Sequence, residues 1–343
     1  MRRISFWVAL SIPLINGWDT DGHWIVALIA GEYVRDRTAR YLKDTIRLNG
    51  QDLPRSLAYH AIWADQQVYD PAYAWTKPLH FAFTDEKCSP FSLVRDCPNG
   101  KCIVTGMSDF TRIASTFGAD SKNRAEAVKF LIHFMADLHQ PLHLGFRKDD
   151  GGTTLFLKDP STTLHNVWDA TLMEVYLNKI ARGLNYYDVA QVLLRELKAE
   201  DIGDYEFSTI DKDSIRNGKT IDVISDIASE TTSKVTCPYG YSKMDGSRIS
   251  QQDTLDESWI KNRQKVMMSQ LKKAGIRLAQ LLDAVATVYY EEEKANRKKI
   301  MKRVEKKVPI KDDNRRKNGF SLLAELGGDM DASTTSEEED PRE

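Results

Sequence analysis

Two acid–base pairs carry the first chemical signal in this chain, because imidazole and carboxylate stand four residues apart in each: His133 with Asp137, and His165 with Asp169. On an α-helix that spacing places both side chains on one face, one turn apart. Val128, Leu131, Ile132, Met135 and Leu138 surround the first pair with apolar residues, so it belongs to a buried helix. There an imidazole and a carboxylate are costly unless each is paired or bound to a metal. One pair alone reads equally well as a hydrogen bond within a core. Two pairs, with His143 just past Pro141, point to a metal cluster. Neutral imidazoles and carboxylates with no competing thiolate set suit zinc. His80, in Pro78-Leu79-His80-Phe81, and Asp65, in Trp63-Ala64-Asp65, join the candidate ligands. Taken singly, the first reads as a packed residue and the second as a helix-end residue.

The elements that must hold these groups are helices. Ile25, Leu28, Ile29 and Ala30 recur at helical spacing between Trp24 and Val34, and a second helix is expected over Thr38 to Leu48. The densest pattern runs from Asn123 to Leu138, begun by Asn123 with Glu126 three residues on and stopped by Pro141. A further helix begins near His165, and Ile221 to Val235 and Ile260 to Val288 also carry helical patterns. Lys148 to Gly152 reads as a turn, with Thr153 to Leu157 the best strand candidate. The expected class is all-α with minor β strands, in one catalytic domain of the 343 residues.

A formal charge of -2 gives no global case for polyanion binding, so any attraction to nucleic acid must be local. Arg2 and Arg3 precede the apolar run Ile4 to Ile15, followed by the small Gly17, which is the pattern of a signal peptide covering 1–17. That run is too short to span a bilayer, and with no second long apolar run the mature protein is expected to be soluble. The four cysteines form an even set suited to an oxidising compartment. The turn Pro98-Asn99-Gly100-Lys101 favours Cys97 with Cys102, leaving Cys88 for Cys237, although sequence alone permits three pairings. Lys294 to Lys317 is crowded with cations and Ser336 to Asp340 is acidic, so 289–343 reads as an appendage. It is either a solvated, partly helical or disordered extension or a basic arm that gathers polyanionic substrate.

The chain resembles the zinc-dependent, single-strand-specific nuclease and 3'-nucleotidase family of secreted fungal, plant and protist enzymes. The matching segments are Trp18-Asp19-Thr20-Asp21-Gly22-His23, Trp63-Ala64-Asp65, Leu79-His80-Phe81, the run from His133 to His143, Asp150-Gly151-Gly152 and His165-Asn166-Val167-Trp168-Asp169. Gln270 to Ala279 is similar to the family's last helix, and the likeness covers about Trp18 to Leu282. The resemblance implies the mainly helical fold shared with zinc phospholipase C, a domain over 18–288, and three zinc ions. Asp65, His80, His133 and Asp137 would hold the first; Asp137 would also reach an ion bound by His23 and by Trp18; His143, His165 and Asp169 would hold the third. Trp18 would act through the amino nitrogen and carbonyl oxygen of a mature first residue, which leader removal after Gly17 creates.

The implied reaction is hydrolysis of single-stranded DNA or RNA, and of 3'-nucleotides, to 5'-phosphate and 3'-hydroxyl products. Asp65, His133 and Asp137 would carry the catalysis, Phe81 would stack on an unpaired base, and Thr153 would touch substrate. The implied protein is a secreted or vacuolar-type monomer. Three positions depart from the family's pattern: Val68 stands where a basic residue is usual, Phe83 where an Asp is usual, and Thr153 where Asn follows the glycine pair. Asp85 is a candidate replacement for the missing acid, and His60 and His139, without ligand roles, are read as surface or supporting residues. The rival readings are a zinc phospholipase C and a secreted zinc-binding protein with weakened catalysis.

Overall fold

The computed structural model describes residues 18–48, 50–199 and 210–307; the expected leader and the extension beyond 307 lie outside the described residues. In chain order the helices are α1 Thr20–Tyr33, α2 Asp36–Ile46, α3 Leu53–Ala61, α4 Trp63–Gln67, α5 Leu93–Asp96, α6 Ile103–Ser115 and α7 Ser121–Asp137. They continue with α8 Leu164–Asn166, α9 Leu172–Val175, α10 Tyr186–Ala199, α11 Lys212–Arg216, α12 Thr220–Thr231 and α13 Glu257–Lys307. Wider π turns link α8 to α9 and follow α9 and α12. The single 3-10 stretches Pro71–His80 and Pro141–Leu144 complete the site-bearing elements. None of the described helices is long and apolar enough to cross a membrane.

α7 is the axis of the core. Its residues from Phe130 to Asp137 are all buried, and α1, α2, α3, α4 and α6 pack on it. A helix covered on every side by other helices needs apolar residues all round, which explains Phe130, Leu131, Ile132, Phe134, Met135 and Ala136 in one run. α1 packs on α3 and α10 and is crossed closely by α13, where a Cβ on Gly275 would lie 2.4 Å from Ile29 Cγ2. Only glycine lets the two helices approach so nearly.

Several local expectations are corrected. α7 starts at Ser121, not Asn123, because the Asp120 carboxylate caps it by accepting from Asn123 N at 2.9 Å, while Glu126 accepts instead from the Tyr73 hydroxyl. No strand covers Thr153 to Leu157; among the described residues, extended pairing is confined to four isolated bridges, one of them Phe156 with Thr163. Positive φ at Asp150, Gly151 and Gly152 coils the chain just before this segment, and Pro160 interrupts it just after. The helix expected over 221–235 begins at Thr220 and widens into π turns to Gly240, and the one expected over 260–288 runs from Glu257 to Lys307. The chain divides into two units between Glu292 and Glu293, and every residue discussed below lies in the first.

Neither His60 nor His139 is at the surface: both are buried. His139 follows the end of α7, donates from Nδ1 to Met135 O at 2.8 Å and accepts at Nε2 from Arg277 at 2.8 Å. Burial and the Arg277 charge push its pKa down to about 3, so it stays neutral and remains an acceptor. Arg277 in turn pairs with Glu230, which Lys273 also contacts at 3.0 Å. This network ties α13 and α12 to the chain just beyond Asp137.

Burial raises the Glu230 pKa, but Arg277 and Lys273 outweigh it and hold the carboxyl at about 2, below its ordinary 4.5. A depressed carboxyl stabilises the fold fully above its unfolded pKa and loses that contribution as pH falls through its folded one. Glu230→Gln should therefore cost about 3 kcal/mol at neutral pH. In denaturant titrations the gap between variant and wild type should narrow from about pH 5 towards pH 2; a pH-independent gap would contradict the pairing.

Candidate metal centre

Six elements converge on one buried volume. α1 contributes His23, α4 contributes Asp65, the 3-10 turns contribute His80 and His143, α7 contributes His133 and Asp137, and α8 with its π turn contributes His165 and Asp169. Three groups have their nitrogen and oxygen atoms close enough to share an ion: His23 with His133 and Asp137, Asp65 with His80 and His133, and His143 with His165 and Asp169. Asp137 lies at the centre. Its Oδ1 is 3.2 Å from His23 Nε2 and 3.5 Å from His143 Nδ1, and its Oδ2 is 3.0 Å from His80 Nδ1 and 3.2 Å from His133 Nε2. Asp65 Oδ1 is 3.3 Å from His133 Nε2 and 3.6 Å from His80 Nδ1. Asp65 is the most open of these side chains, with 14% of its surface exposed against none for Asp137.

The backbone sets the tautomers. His133 Nδ1 donates to Ala61 O at 2.7 Å, His143 Nδ1 to His80 O at 2.9 Å and His165 Nδ1 to Gly151 O at 2.6 Å, while His23 Nδ1 donates to Trp18 O. A carbonyl oxygen accepts only, so Nδ1 carries the proton in each ring and a neutral imidazole keeps its Nε2 lone pair. Those lone pairs face acceptors: His133 Nε2 has two carboxylate oxygens and His80 Nδ1 within 3.3 Å. His143 Nε2 is buried with no hydrogen-bond partner among the described residues, and His165 Nε2 faces Asp169 Oδ2 at 3.1 Å. Lone pairs converging on carboxylates repel unless positive charge lies between them, and ring nitrogens oriented by carbonyls through the opposite atom are arranged as metal ligands are. These donors fit zinc, with nitrogen and carboxylate oxygen and no thiolate.

The electrostatics follow the same demand for cation. Burial alone would push the His133 pKa down, but Asp137 and Asp65 raise it well above the ordinary histidine range. Asp137 is held well below the usual carboxylate range, burial being outweighed by His133 and His143. His143, dominated by burial, falls to about 4 and is therefore neutral.

Two supports escape the sequence reading. Gln140 bridges the site, its amide donating to Asp169 Oδ1 while its Oε1 accepts from Leu142 N, so one side chain fixes both Asp169 and the turn that carries His143. Its position between the α7 end and Pro141-Leu142-His143 is the signal that was available. The backbone N–H of Asp19 donates to Asp169 O at 3.0 Å and draws the start of α1 to the third group; a main-chain bond leaves no signature in residue type.

Trp18 is buried beside His23. Phe81 and Phe83 are both half-buried, with Phe81 against His143 at a ring separation of 4.6 Å. Thr153 donates its hydroxyl to Asp150 O at 3.1 Å, and Val68 follows α4. The Asp85 carboxylate lies 3.7 Å from Arg95 Nε and accepts from Lys87 N. Cys88 is bonded to Cys237 and Cys97 to Cys102, the pairing that the short turn favours.

The S1/P1 nuclease family model matches residues 18–287. Among similar proteins, Endonuclease 2 of Arabidopsis thaliana is 26% identical over 300 residues, covering 83% of this chain and 96% of the relative. Endonuclease 3 of the same plant is 30% identical over 291 residues, with 79% and 91% covered, and Nuclease S1 of Aspergillus oryzae is 29% identical over 281 residues, with 80% and 93% covered.

His133 belongs to two of the three groups. His133→Ala should weaken zinc retention at both by more than about 100-fold, beyond what loss of an outer support costs, and should lower the unfolding temperature because Asp137 keeps its buried charge. Zinc analysis after dialysis, alongside calorimetry, checks this; a variant with full zinc content and unaltered stability would overturn the ligand role.

Proposed function

The chain belongs to the S1/P1 nuclease family, a hydrolase family acting on phosphodiester bonds, and from that membership we propose a trinuclear zinc nuclease that cuts single-stranded DNA or RNA and 3'-nucleotides. The observation that carries the reading is the convergence of buried imidazoles and carboxylates in three groups, two of which share His133, with Asp137 beside both. In this reading Asp65, His80, His133 and Asp137 hold one ion, Asp137, His23 and Trp18 a second, and His143, His165 and Asp169 a third. Zinc held there supplies Lewis acidity, which makes water nucleophilic near neutral pH and offsets charge on the phosphoryl oxygens.

The chain's own residues do the rest. Asp65, the most open carboxylate, accepts a hydrogen bond from the incoming water and orients it, while His133 and Asp137, locked by Ala61 O and by their neighbours, keep the groups in register. Phe81 and Phe83 form the apolar wall beside His143 where an unpaired base can stack, and a paired base cannot. Thr153 lies on the adjoining turn as a substrate contact. Val68 and Phe83 bring no charge to this face, so phosphate is oriented by the metal groups more than by side-chain cations. Family membership favours this over the phospholipase alternative, and products with 5'-phosphate and 3'-hydroxyl ends are expected.

The family match begins at Trp18, where the leader-like 1–17 ends, which supports removal of that segment and export to the exterior or a vacuole-like compartment. The Trp18 carbonyl accepts from His23, which supports a terminal ligand at the ion that His23 and Asp137 would share. Release of acid-soluble nucleotide from single-stranded DNA should disappear on chelation and return with zinc; full zinc content without release would support the weakened-catalysis reading instead. Protein beginning at Trp18 should also lose zinc and activity together when a single Met precedes it, and equal activity of the two forms would reject the terminal-amine ligand.

A further inference from the structure

Phe81 and Phe83 sit two residues apart on extended chain between the Pro71–His80 turn and the Thr84 bridge, a spacing that points both rings to one side. Their rings stack, with centroids 5.3 Å apart and planes at 29°. Phe81 is crowded. It also meets His143 at 4.6 Å, His80 at 6.1 Å and His165 at 6.4 Å, all of them candidate zinc ligands. Among the described residues Phe83 is half-buried and meets no ring but Phe81, so it is the member of this pair that no histidine ring covers. The ring is held from its edge by the glycine turn, where a Cβ on Gly151 would lie 2.6 Å from Phe83 Cε1.

Three polar side chains of the adjoining segments have partners of their own. Asp85 pairs with Arg95, and Arg147 donates to the backbone oxygens of Phe83 and Arg95 at 2.8 and 3.0 Å. Thr153 is bonded to Asp150 O. Reading a base requires donors and acceptors aimed at its edge, whereas stacking uses a π-face that every base has.

Resting on the nuclease reading of this site, we propose that Phe83 is the outer stacking surface for the base next to the zinc groups, and that binding there is by stacking without reading of the base edge. Phe83 is thereby a specificity-determining residue: it demands an unpaired base and is indifferent to which one.

The test uses zinc-loaded protein beginning at Trp18 with dinucleotides of each of the four bases and one lacking the base. Phe83→Leu keeps apolar bulk against Gly151 but removes the π-face. It should raise KM for all four by a similar factor, on the order of tenfold, more than it changes kcat and more than it raises KM for the abasic substrate. Phe83→Trp, which enlarges the face, should lower KM for all four, and it keeps the proposal open to refutation should the leucine variant fold poorly. A KM within about twofold of wild type in Phe83→Leu, a rise confined to one base, or a raised KM in Phe83→Trp would overturn it. Wild-type protein that hydrolyses none of these substrates would refute the nuclease reading itself, an outcome separable from any behaviour of the Phe83 variants.

Discussion

The structure depends on one electrostatic constraint, the fully buried carboxylate of Asp137 surrounded by imidazoles whose free lone pairs face it. Burying such a charge is costly unless hydrogen bonds and opposite charge compensate it. Four imidazole nitrogens lie within 3.5 Å, and backbone carbonyls bind the opposite nitrogens of His23 and His133, whereas His143 turns the same Nδ1 to Asp137 and to His80 O. His23 and His133, when neutral, therefore carry their proton on the far side of the ring, and cations are the compensation that the donor set fits. The acceptor carbonyls come from Trp18 ahead of α1, from Ala61 at the end of α3 and from His80 at the end of a 3-10 turn.

The same constraint accounts for the core around α7. A helix that presents His133 and Asp137 inward must be covered on all sides to keep water from competing for them, and α1, α2, α3, α4 and α6 do this. Its end is fixed twice, by His139 bonded to Arg277 and by Gln140 bonded to Asp169. Precise placement of a ligand rests on such outer contacts as much as on the ligand itself. Asp65, Phe81 and Phe83 are less buried than the other residues of the centre, as the proposed roles towards substrate require.

The sequence was legible where chemistry and periodicity coincide. The i,i+4 pairs His133–Asp137 and His165–Asp169 are brought within 3.2 Å by their helical turns, and the apolar pattern of α7 marks it as interior. The leucine- and threonine-containing run 153–157 misleads because its residues favour strands while three preceding positive-φ residues and Pro160 allow only a coil with one bridge. His80 and His143 sit on 3-10 turns, too short to show a period, so residue type made them candidates and only the resemblance gave each a place in a ligand set. Gln140, the carbonyls of Ala61 and Gly151, and the Asp19 N–H act through geometry made by distant chain, which residue type alone does not encode.

The central claim is that converging imidazoles and carboxylates exist to hold zinc at each of three groups. Native mass spectrometry of protein that begins at Trp18, purified without chelator, counts the ions per chain directly. Three zinc ions on one polypeptide is the predicted result, matching the three groups; a folded protein that carries none, and takes up none when zinc is supplied, would contradict it.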